Sequence, residues 1–261
     1  MNRTIQHLDL TGNALGAAGG IAIGEMLTCN ITIRDLILAD NLLGSEGGVA
    51  IAEGAVDNVT LKTLSVSGNK LGDAEAKAFA RMFLNNRSLV SLDLSHNGIA
   101  NIGATELGKS LVSNDAVRDL NLAWNNIGFK GISNFLGFAK DSATLASVNL
   151  AYSGFGEAGG TPIIQFLGKN NSCSALSVAH CRLTDAAVPM IVKAMDSTYT
   201  LRELDLGHNL FSEAGIAQIL KSLIANNSLK KLTISGMKMS QITRAVLKDI
   251  RDEKEGVIIM E

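Results

Sequence analysis

Cysteine, proline and aromatic residues are scarce in this sequence, and each scarcity excludes a class of protein. Three cysteines in 261 residues, Cys29, Cys173 and Cys181, are too few and too scattered for a disulfide framework, which implies a reducing compartment. Two prolines stand against 26 glycines and aromatics make up 4%, so the core must be aliphatic and its turns tight and regularly spaced. No uninterrupted apolar stretch approaches the roughly 18 to 20 residues needed to cross a bilayer. Polar residues recur at His7, Asp9 and Thr11, so no signal peptide is expected in this N-terminal segment and the cytoplasm is the expected location. Charge is balanced, 23 Lys and Arg against 25 Asp and Glu, with no basic run. Neither a membrane nor nucleic acid is therefore an expected partner, since phosphate binding needs a clustered positive surface.

What the chain does contain is a repeat. Ile5, Ile33, Leu61, Leu89, Val117, Leu145, Cys173, Leu201, Leu229 and Val257 are spaced by 28 residues without insertion or deletion. Parallel columns run from Leu8 to Leu232, from Leu10 to Ile234 and from Leu15 to Met239 at the same period. Alternation around the middle two columns is the period of two of a short strand with one buried face. After a turn carrying Gly16, Gly44, Gly72, Gly128 or Gly156, apolar residues recur at helical spacing, as in Ile23 with Leu27 and Phe79 with Phe83. Parallel strands sit ~4.8 Å apart but packed helices need ~8–10 Å, so stacking the units bends the array. The expected fold is an α/β solenoid, a horseshoe with a concave parallel sheet and convex helices. It holds nine 28-residue repeats plus a terminal strand in one domain over residues 1–261.

The segments LDLSHNGI (92 to 99), LNLAWNNIG (120 to 128) and LDLGHNLF (204 to 211) resemble ribonuclease-inhibitor-type leucine-rich repeats, and the resemblance covers essentially the whole chain. The uniform period is most similar to the repeat domains of NOD-like receptors and related intracellular proteins. That resemblance implies a non-catalytic scaffold or sensor that binds a protein partner through its concave face. The alternative it implies is a GTPase-activating protein of the Ran-activator type, which a GTP-hydrolysis assay with small GTPases would separate from a scaffold. Ribonuclease inhibitors are rich in cysteine and Ran activators end in an acidic tail, and this chain has neither feature.

Asn2-Arg3-Thr4-Ile5 matches Asn86-Arg87-Ser88-Leu89, as though the chain began in the last turn of a missing repeat, so an N-terminally truncated fragment of a longer protein is expected. The uncapped strand Gln6 to Leu10 should then promote self-association. At the other end, the charged final helix reads as a terminal cap.

Two motifs match without meaning. Gly103 to Ser110 fits the phosphate-loop pattern, but the repeat puts Leu107 in the buried helical column with Phe79 and Phe135. Gly154, Gly156 and Gly159 fit a dinucleotide fingerprint, yet Gly156 and Gly159 only continue the columns of Gly16 and Gly19. Sequons at Asn30, Asn58, Asn86, Asn170 and Asn226 also share one column, and would matter only in a secreted protein. The asparagine column Asn13, Asn41, Asn69, Asn97, Asn125 and Asn209 reads as structural, satisfying turn backbone. Repeats six and seven break it with Ser153 and Cys181 and carry Pro162 and Pro189, so the solenoid should be least regular there.

The candidate binding residues lie on the concave sheet, where side chains between the buried leucines should point to solvent. Two residues after the third apolar column, consecutive repeats give His96, Trp124, Tyr152, His180 and His208, a strip of rings ~5 Å apart. Beside it lie Asp93, Asn121, Asn149 and Asp205, with Glu203 one place over. An aromatic strip edged with carboxylates and amides has the composition of a protein-binding hot spot, with Trp124 as its partly exposed anchor. The competing reading is that large residues merely cover the sheet and stack on one another. His180 and His208 are close enough to share a metal with Cys181, but the spacing is not that of a ligand set. No metal, no other cofactor and no enzymatic activity are expected.

Overall fold

The computed structural model describes residues 2–254 and 257–260. Its ten strands form one parallel sheet in sequence order: β1 (His7–Asp9), β2 (Asp35–Ile37), β3 (Thr63–Ser65), β4 (Ser91–Asp93), β5 (Asp119–Asn121), β6 (Ser147–Asn149), β7 (Ala175–Ser177), β8 (Glu203–Asp205), β9 (Lys231–Thr233) and β10 (Ile258–Met260). Between them run α1 (Gly16–Leu27), α2 (Gly44–Gly54), α3 (Asp73–Asn85), α4 (Asn101–Leu111), α5 (Phe129–Ala139), α6 (Gly160–Leu167), α7 (Val188–Ser197), α8 (Glu213–Ala225) and α9 (Gln241–Glu253). The α/β solenoid expected from the 28-residue period is the one observed.

Each strand turns its central leucine, valine or isoleucine inward. Leu36, Leu64, Leu92, Leu120 and Val148 pair in register and are buried against the helices. Phe79, Phe83, Phe135, Phe155 and Phe166 are the largest fully buried side chains and fill the space between sheet and helices. Leu107 is fully buried within α4, so residues 103–110 form continuous helix and not a phosphate loop. In repeats six and seven the helical half opens with a 3₁₀ turn, Glu157–Gly159 and Asp185–Ala187, ahead of the shorter α6 and α7. This is the irregularity expected there.

One expectation is corrected at the C-terminal end. Strict 28-residue spacing would place Val257 at the start of the last unit and Met260 in the leucine position. Instead Ile259 pairs with Leu232 and is buried, whereas Met260 is exposed. The last unit is one residue shorter than the period. A one-residue slip exchanges the two faces of a strand, and the chain adopts the slip that buries isoleucine.

Two asparagine columns stitch the repeats together. In the first, Asn69 Nδ2 donates to the carbonyls of Leu38 and Ser67, while its Oδ1 accepts from the Asn41 and Leu43 amides. Cys181 replaces the asparagine in its repeat, its Sγ donating to the Leu150 and Ala179 carbonyls. The second column is the sequon column, whose structural role the sequence analysis missed. Asn86 Oδ1 accepts from Ser88 and Leu89, and its Nδ2 donates to Ala55 and Asn58 in the preceding repeat. Asn30, Asn58, Asn86, Asn170 and Asn226 are all buried, which excludes a glycan at these five positions on the folded chain.

Ser153 is the weak stitch. It is buried, and its hydroxyl has no hydrogen-bond partner. An asparagine there would restore two or more bonds at ~0.5–1.5 kcal/mol each. Ser153→Asn is therefore expected to raise the melting temperature by about 2–5 °C. An unchanged or lower melting point in a thermal scan would mean that the site is closed to an amide.

Candidate functional site

The strands are only three residues long, so the ring-bearing positions lie in the turn that follows them rather than on the sheet itself. A side-chain oxygen builds that turn. The Oδ1 atoms of Asp93, Asn121, Asn149 and Asp205 accept from the backbone amide two residues on, at 2.9–3.1 Å. Each half-buried carboxylate or amide thus fixes the loop that carries the next ring. Asp205 also accepts from the Ser177 hydroxyl at 3.0 Å. Glu203 stays exposed and meets Lys231 at 3.6 Å. Four of the five polar residues expected to border the strip therefore have structural work as well, a role the sequence reading did not assign to them.

At the ring position the backbone is left-handed. His96, Trp124, Tyr152, His180 and His208 have φ between 53° and 60°, and residues in the same column with no ring are left-handed too, Asp40 at 55° and Gly12, Gly68 and Gly236 at 68–72°. For a bulky L-residue this conformation costs ~1–2 kcal/mol. Glycine adopts it freely, as it does in three other repeats.

The five rings stack into one ladder. Centroids are 5.2 Å apart for His96 and Trp124, 3.5 Å for Trp124 and Tyr152, 4.0 Å for Tyr152 and His180, and 4.1 Å for His180 and His208. Interplanar angles run from 11° to 21°. The ladder ends on His208, whose ring occupies the space that a side chain at Gly236 would need. Beneath it lies a floor of small residues, Ala123, Ala151 and Ala179, each nearly buried, with Tyr152 packed on them. The ladder walls a trough of about 390 Å³ that continues into a second, of about 250 Å³, over β6 to β9.

Stacking decides what the strip can recognise. Ring faces inside the ladder are covered by their neighbours, so planar bases, sugar rings and onium cations have no free face there. Edges remain, carrying the indole N–H, the phenol O–H and imidazole nitrogens. Trp124, stacked between His96 and Tyr152, is 48% exposed, as expected of the anchor residue. Burial, with His208 alongside, lowers the pKa of His180 below the usual histidine value, and Asp205 opposes the shift. The two imidazoles are stacked face to face, so their nitrogens lie in parallel planes and cannot converge on one metal ion. Cys181 directs its thiol into the loop, where burial pushes its pKa up to about 12.

Five successive segments, residues 2–24, 29–52, 57–80, 85–108 and 114–136, match a family model described as Leucine Rich repeat. The chain is a leucine-rich-repeat solenoid. Its sheet, its alternating helices and its two asparagine columns carry the same pattern through the repeats beyond residue 136. A solved structure, "Leiomodin-1 Actin-Binding Site 2 (ABS2)", is 20% identical over 58% of this leucine-rich-repeat chain and 87% of its own, with a TM-score of 0.48. That likeness is too distant to bear on function. No curated protein matches the sequence at a significant level. Among the described residues, no helix is long and apolar enough to cross a membrane.

Proposed function

We propose that this solenoid, of the ribonuclease-inhibitor type by its repeat segments at 92–99, 120–128 and 204–211, is a non-catalytic scaffold or sensor that binds a protein through its concave face. The recognition strip is the edge of the ladder His96, Trp124, Tyr152, His180 and His208, with Asp93, Asn121, Asn149, Glu203 and Asp205 beside it. One observation carries this reading. Five bulky rings occupy a left-handed turn position that Gly12, Gly68 and Gly236 fill without strain, and strain held at adjacent sites is characteristic of functional surfaces. The exposed edges offer hydrogen-bond donors to a partner's carbonyls and carboxylates, and the trough beside them admits its side chains. Three free cysteines, two of them buried, fit a reducing cytoplasmic setting.

The test is comparative capture from native extract, using the wild-type chain and a variant with all five ladder residues changed to glycine. Proteins retained by the first and lost by the second are the expected partners. If the two chains hold the same set of proteins, the strip is not the binding surface.

A further inference from the structure

The helices carry a second surface, separate from the ladder. A groove of about 330 Å³ lies between α3 and α4, floored by the buried Ala80 and Ser110. Leu84 stands at its edge 49% exposed, and Val112, in the same position one repeat on, is 46% exposed. Phe138 of α5 is exposed too, beneath the Lys109 ammonium at 5.8 Å. In four other repeats the Leu84 position holds Thr28, Lys140, Gly168 or Asp196, so the repeat itself does not require a large apolar residue there. The rim is basic. Lys77 and Arg81 lie one turn apart on the outer face of α3, and among the described residues neither meets a carboxylate. Lys109 is bound to Glu106 at 2.8 Å, which leaves the groove with an excess of positive charge. Glu25 and Glu53 hold the Arg81 position on α1 and α2, so the sign of that column changes at α3.

We propose that this groove docks an acidic and apolar segment of a partner protein, whose leucine, isoleucine or phenylalanine enters beside Leu84 while flanking carboxylates pair with Lys77 and Arg81. The aliphatic stems of those two residues extend the apolar lining and their charged ends stay in water at the rim. An uncharged apolar segment would shield both cations from water without giving them partners, a cost that a carboxylate removes. A bilayer is the poorer occupant, because an anionic lipid surface would also meet Glu25 and Glu53 on the adjoining helices. The ladder belongs to the turns after the strands and this groove to the helices, so either site can exist without the other.

The test is selection of a randomised short-peptide display library against the Trp124→Gly chain, which takes the ladder out of play. Peptides with an aliphatic residue or phenylalanine flanked by Asp or Glu should be enriched. Made synthetically, they should bind the wild-type chain and be weakened by roughly tenfold or more by Arg81→Glu and by Leu84→Asn. Both residues are exposed, so both variants should melt with the wild type. Arg81→Glu should also gain affinity for the same peptide with an acidic residue changed to lysine, an exchange that damage to the fold would not produce. A selection that returns only basic or uncharged peptides, or none whose binding depends on Arg81 and Leu84, overturns the proposal. So does Arg81-dependent sedimentation with phosphatidylserine vesicles in place of peptide binding, which would make the patch a lipid contact.

Discussion

Gly24→Ala is expected to destabilise the first two repeats by about 3 kcal/mol, whereas the same change at Gly137 should stabilise the chain by about 0.5–1 kcal/mol. Both glycines are helical, Gly24 in α1 and Gly137 in α5, and an alanine gains helix propensity at either. Their surroundings differ. A Cβ at Gly24 would fall 2.6 Å from the Ala50 carbonyl carbon, while one at Gly137 would meet nothing within 4 Å. Backbone cannot swing aside as a side chain can, so α1 and α2 would have to separate. The contact is reinforced by Gly20, whose Cβ would fall 2.5 Å from Gly47 Cα. In a solenoid each repeat touches only its neighbours, so amide exchange should accelerate in repeats one and two and stay unchanged in the C-terminal half. Equal effects at the two sites would mean that the helices are not in backbone contact.

Trp124→Gly is expected to weaken partner binding by roughly thirtyfold, ~2 kcal/mol, while leaving thermal stability within about 1 kcal/mol of wild type. The indole loses its stacks on His96 and Tyr152, worth ~0.5–1.5 kcal/mol each. Glycine returns ~1–2 kcal/mol by relieving the left-handed backbone. The two terms nearly cancel, so the ladder adds little net stability even though its rings are in contact. A large drop in melting temperature with affinity intact would make the stack a structural device. Trp124→Ala separates the terms, because alanine loses the stacks and keeps much of the strain.

The fold was legible because its causes are periodic. Leu8, Leu36 and Leu64 recur at one spacing because each must point into the same core, and Asn41, Asn69 and Asn97 recur because each serves the same turn. What escaped the sequence depends on backbone conformation or on competition between registers. The left-handed turn beneath Trp124 could have been inferred from Gly12, Gly68 and Gly236 in the same column, and with it the displacement of the ladder from strand to turn. The burial of Asn86 lay hidden behind its sequon. The slip at β10 was not visible, because Val257, Ile258, Ile259 and Met260 are all apolar and only the burial of Ile259 chooses among them. The side-chain roles of Asp93 and Asp205 were half legible: their place beside the ladder followed from the period, but their bonds to the turn did not.

Trp124 is the sole tryptophan, so it reports on the ladder without interference from the rest of the chain. The most direct measurement is the fluorine NMR spectrum of a chain grown with 5-fluorotryptophan, recorded as a captured partner is titrated in. If the ladder edge is the recognition strip, the single resonance should move or broaden saturably, with a midpoint matching the binding constant found by calorimetry. A resonance that stays in place while calorimetry registers full binding would show that the partner sits elsewhere, and the account of the concave strip would fail.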